Sequence, residues 1–195
     1  MLITIKHTFF KILLFSITAI FVAMPGFSDA KVKTDDEVHP DIHVIRKLLI
    51  TALDSKKVTD SLYNSLGALK NRSSLINGYM GTLQALKAKH AWNPYFKIKY
   101  LNDSEKTFKG AVTNDPHNIE IRFMRFSIEH NVPKFLGYTK NLEADRLEMI
   151  KQIDSKNYAS ADKQLVKTII NFLIESKRCT PAEHKNLTQH LAALS

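Results

Sequence analysis

Apolar residues recur at helical spacing along most of the chain, most clearly between residues 73 and 131. Leu101, Ser104, Phe108, Ala111 and Val112 stand three and four apart, which places them on one stripe of a helix. Asn114-Asp115-Pro116 stops that helix, because proline cannot continue it and disfavours helical geometry at Asp115. Asn118 stands where its side chain can accept from the free amides of a new first turn. Ile119, Phe123 and Phe126 follow on one face, with Arg122 and Arg125 beside them. The stretch predicts a helical hairpin step with Pro116 at its corner.

Similar patterns fill the rest. Residues 41–55 predict a helix with Pro40 in its first turn and Ile42, Ile45, Leu48, Leu49, Ala52 and Leu53 as its buried face. Residues 58–69 predict a second helix on Val58, Leu62, Leu66 and Leu69. A third, capped by Ser73, covers 74–91 with Leu75, Tyr79, Leu83 and Leu86 on one face. Gly78 and Gly81 weaken this helix by about 1 kcal/mol each against alanine, and a close helix approach is the expected compensation. Leu142, Leu147, Ile150 and Ile153 mark a helix over 141–154, on which Glu143 and Arg146 are spaced for an exposed ion pair. Ala161, Leu165, Ile169, Phe172 and Leu173 mark another over 158–176. Thr180-Pro181-Ala182-Glu183 then combines a capping threonine, a first-turn proline and a glutamate three residues after the cap, ahead of Leu187, Leu191 and Leu194. With about eight helices and no convincing strand, the expected fold class is all-α: antiparallel hairpins in a short right-handed solenoid or irregular bundle.

The spacing of Ser104, Phe108, Ala111 and Pro116 resembles the second helix and closing proline of a tetratricopeptide repeat, and Asp115-Pro116-His117-Asn118 is similar to that family's repeat boundary. One unit of about 34 residues matches. A longer run, from Asn93-Pro94 through Asn118-Ile119-Glu120-Ile121-Arg122 to Phe135-Leu136-Gly137-Tyr138, resembles a group of secreted bacterial helical proteins with no assigned activity. The resemblance implies export and a helical fold, and it implies no chemistry.

Residues 1–30 read as a signal peptide. Lys6 and Lys11 precede a largely apolar stretch over 12–23, Pro25-Gly26 breaks it, and Ser28 and Ala30 suit cleavage after Ala30. Those 12 residues are short of the roughly 20 that span a bilayer, so cleavage is preferred over retention as an anchor. A flexible linker over 31–40 and a single helical domain over 41–195 follow. The expected location is periplasmic or secreted.

Without residues 1–30, 26 Lys plus Arg face 18 Asp plus Glu, a formal charge of +8. The positive residues are scattered with no block of five, so general solubility is preferred over binding of nucleic acid, anionic lipid or acidic partners. Membrane contact is expected only through the signal during export. Cys179 is the only cysteine, which excludes an intramolecular disulfide and a multi-thiolate metal site.

No catalytic, cofactor-binding or metal-binding motif is present. His39 and His43 stand four apart, but no third ligand follows at a diagnostic spacing. Three surfaces remain. Trp92-Asn93-Pro94-Tyr95-Phe96 reads as an aromatic turn, either a stacking platform or, preferably, a plug over the hairpin end. The connection over 131–138, carrying Phe135, Leu136 and Tyr138, either tucks into the helix layer or shows an apolar patch to a partner. Arg122 and Arg125 form either a basic strip for an acidic peptide or a helix flank paired with Glu120 and Glu129. The repeat-like junction around Pro116 favours a non-catalytic adaptor for a protein or peptide. A basic membrane-surface protein and an enzyme without a recognisable motif are the alternatives, and the oligomeric state stays open.

Overall fold

The structure, a computed structural model, describes residues 40–158 and 161–194. The expected signal peptide at 1–30, the linker at 31–39 and the His39 half of the histidine pair lie outside the described residues.

Local chemistry sets each helix start. Asp41, Ser55, Ser73, Asn93, Asn118, Asp162 and Thr180 each accept a backbone N–H of the following first turn. These caps open α1 (Ile42–Ala52), α2 (Lys56–Gly67), α3 (Ser74–His90), α4 (Pro94–Asn114), α5 (Ile119–Asn131), α7 (Lys163–Glu175) and α8 (Pro181–Ala193); α6 (Leu142–Asp154) begins without a side-chain cap. There is no strand among the described residues, so the all-α class holds. Pro40 precedes the Asp41 cap and so stands outside the first turn of α1. Thr180 and Glu183 close the expected capping box.

Two apolar cores share one helix. Ile45, Leu62, Leu66, Tyr79, Leu83 and Phe108 fill the first, with Ile121 and Met124 of α5. Met149, Ile153, Val166, Ile169, Ile170, Leu173 and Leu187 fill the second, with Ile119 and Phe126 of α5. The α5 helix is therefore covered on both sides. Of its two expected core aromatics, Phe126 is buried, and Phe123 is half-buried and meets the Phe172 ring edge-on at 5.4 Å.

Helix α3 packs against α1, α2, α4 and α5, and its glycines make room for two of them. A Cβ on Gly78 would lie 2.7 Å from Met124 Cε of α5, and one on Gly81 would lie 3.0 Å from the Phe108 ring of α4. Ser104 Oγ of α4 donates to the Gly81 carbonyl at 2.7 Å, an approach that a bulkier residue at 81 would block.

Three expectations fail. Trp92, Tyr95 and Phe96 do not plug the α3–α4 turn: Asn93 caps α4, Pro94 enters its first turn, and all three aromatics face solvent. Leu48 and Leu147 fit the periodicity of α1 and α6 yet are exposed, because no neighbouring helix covers those parts of the faces. Arg146 pairs with Glu183 of α8 instead of Glu143.

Candidate functional site

Carboxylates are buried between helices, and arginines answer most of them. Glu120, at the start of α5, accepts from Arg46 Nε at 2.8 Å, from Arg46 Nη2 at 2.6 Å and from the Tyr79 hydroxyl. Arg46 Nη1 also donates to Asp162 at 2.7 Å, joining α1 to the starts of both α5 and α7. Burial, and then the Glu120 charge, raise the Tyr79 pKa, so its phenol stays a donor. Asp145 of α6 is 0% exposed and accepts from Arg122 at 2.8 Å and, as a fork, from Arg125 at 2.7 and 2.6 Å. Arg122 Nε also donates to the Pro116 carbonyl at 2.9 Å, fastening the corner itself.

Arg122 and Arg125 thus form no open basic strip, and their partner is Asp145, not Glu120 or Glu129. Both charges are already answered inside the fold.

The 131–138 connection is different. After α5, Lys134–Leu136 forms a single 3-10 turn ended by Gly137, whose φ of 77° is a left-handed geometry suited to glycine. Tyr138 donates to Asn102 Oδ1 of α4 at 2.5 Å, and Asn141 donates from its backbone and side chain to Glu129 at 2.8 and 2.6 Å. Burial, only partly offset by those Asn141 bonds, raises the Glu129 pKa. The segment is pinned at its far end while Phe135 stands 86% exposed, so it neither tucks in fully nor hangs loose. Leu136 and Tyr138 are half-buried.

Beside this turn opens a shallow concavity of about 490 Å³ lined by Lys134, Thr139, Lys140, Leu142, Glu143, Arg146 and Arg178. Four cations face one carboxylate among the lining residues. Arg178 Nε donates to His130 Nδ1 at 3.0 Å, which leaves that imidazole neutral; burial, then the Arg178 and Lys134 charges, hold its pKa down. Arg146 is tied to Glu183, whereas Lys140 reaches Glu105 at 3.2 Å with most of its side chain in solvent. The hollow can take carboxylate or phosphate groups.

Other reactive groups are placed quietly. Cys179 is half-buried, its thiol donates to the Leu173 carbonyl at 3.4 Å, and burial raises its pKa, a setting that keeps it protonated. His43 is solvated and lies 3.8 Å from Asp162. Among the described residues no group of histidine, cysteine, aspartate and glutamate could hold a metal ion.

Sequence reasoning picked out the 134–138 segment but missed Lys140, Arg146 and Arg178 as one group. Arg178 lies far along the chain from Lys140 and Arg146, so no charge run announces them. Comparison with protein-family models, with curated proteins and with solved structures returns no match for this chain.

Proposed function

We propose that this chain is an exported, non-catalytic adaptor that holds an acidic segment of another protein in the cationic concavity beside Phe135. The observation that carries this reading is the convergence of Lys134, Lys140, Arg146 and Arg178 on an open hollow, with the exposed Phe135 next to Lys134 in the chain. Cations select acidic side chains, and the Phe135 ring offers apolar area to a residue between them. The tetratricopeptide-like spacing around Pro116 supports a stack of helical hairpins, an architecture that presents binding surfaces between its units. The signal expected at 1–30 supports a periplasmic or secreted setting.

The reading is tested by fluorescence anisotropy of a labelled glutamate-rich peptide carrying one leucine, titrated with the full chain. Lys134→Glu with Arg178→Glu is expected to weaken binding by about tenfold or more, with the helical dichroism unchanged. Equal affinity of the variant, or equal binding of a lysine-rich peptide, refutes it.

A further inference from the structure

The α3–α4 turn takes no part in that concavity and has a chemistry of its own. Residues 92–99 are all exposed, in the order Trp, Asn, Pro, Tyr, Phe, Lys, Ile, Lys. Trp92 is 97% and Tyr95 69% exposed. Residues 94–99 already belong to α4, so the helix start is exposed around its circumference, with Tyr95, Phe96 and Ile98 interleaved with Lys97 and Lys99. Tyr95 meets Phe96 edge-on at 5.5 Å, and Phe96 stacks on Tyr100 at 6.2 Å, so the rings form a continuous aromatic knob.

The surrounding charge is positive. Lys89 reaches Asp54 and the Leu53 carbonyl, Lys87 and Lys56 both reach Asp60, and Lys99 reaches Asp103, which gathers the α1–α2 turn at this same end. With Lys57 and Lys97, six lysines stand here against three aspartates, and no Asp or Glu occurs between Asp60 and Asp103.

We infer that this knob docks on the surface of an anionic lipid bilayer. A folded partner would offer a groove to one side of the knob, whereas exposure all round suits a medium that closes around it. Tryptophan and tyrosine have the apolar body and polar tip of residues that settle at headgroup level. The excess of lysines over aspartates at this end supplies the charge that lipid phosphates attract. No helix among the described residues is long and apolar enough to cross a membrane.

Trp92 is the only tryptophan, so its emission reports on the knob directly. The full chain is mixed with vesicles of phosphatidylglycerol and phosphatidylcholine, or of phosphatidylcholine alone. The expected result is a blue shift and quenching by acyl-chain-brominated lipid with the anionic vesicles only, reversed by salt. Lys97→Gln with Lys99→Gln is expected to lower the partition coefficient by roughly tenfold. The variant Trp92→Phe with Phe135→Trp moves the probe away from the knob and is expected to show no shift. Unchanged Trp92 emission overturns the inference, as does an equal response at position 135, which would mean attachment through another part of the chain. A blue shift that grows with protein concentration without lipid would assign the knob to a second copy and overturn it as well. The Lys134→Glu, Arg178→Glu variant keeps the vesicle response, so loss of peptide binding and loss of lipid binding are separable.

Discussion

The turns that open α4 and α5 are built from similar parts. Asn93 Oδ1 accepts from Tyr95 N at 2.8 Å, and Asn118 Oδ1 accepts from Glu120 and Ile121 at 3.1 and 3.2 Å. A proline stands beside each cap, and apolar residues follow both. Yet Ile119 and Ile121 are buried while Tyr95, Phe96 and Ile98 are exposed. At the second turn Arg46, Tyr79 and Asp145 arrive from distant parts of the chain and neutralise the charges that α5 carries inward. At the first turn nothing comparable arrives from the described residues. Capping chemistry decides that a helix begins; long-range partners decide whether its first turns are covered.

The largest effect should come from removing one of those partners. Asp145→Ala leaves Arg122 and Arg125 facing each other with no carboxylate, and unfolding by urea is expected to show a loss of about 3–5 kcal/mol. A loss below about 1 kcal/mol would mean that water reaches this pair and that the buried turn is less closed than its geometry says. Gly81→Ala is expected to lie in between. The gain in helix propensity, about 1 kcal/mol, is outweighed by pressing a methyl against the enclosed Phe108 ring, for a net loss of about 1–2 kcal/mol by the same titration. Gly78→Ala presses on the flexible end of Met124 and meets Ile121 at ordinary contact distance, so it should cost less, and the order of the two variants checks which helix seats more tightly on α3. Trp92→Ala should be the mildest, within about 0.5 kcal/mol, because the ring touches little. A larger loss there would show that the exposed turn is held by contacts of its own.

The same contrast explains what could be read from residue order. Ser73, Asn118, Thr180 and Pro116 act through neighbours one to six residues away, so their roles are visible in a short window. The glycines of α3 were legible because a helix tolerates them only with a reason, and close approach was the reason available. The partners of Arg122 and Arg125 were not legible, since Asp145 lies 20 and 23 residues further on and no spacing rule joins them. Arg146 gave a misleading signal: Glu143 has the right helical offset, but Glu183 is held in place by the Thr180 cap and wins the arginine. Periodicity marked Leu147 as apolar-faced without saying whether another helix would reach it. The cationic hollow failed to show for the same reason, as Arg178 meets the stretch from Lys134 to Arg146 only across the fold.

The placement of α5 has one more consequence. With Ile121 and Met124 on one side and Ile119 and Phe126 on the other, this helix is a party wall. Pulling it away would flood both rooms at once. Within the described fold, neither core could therefore open along α5 and leave its neighbour dry.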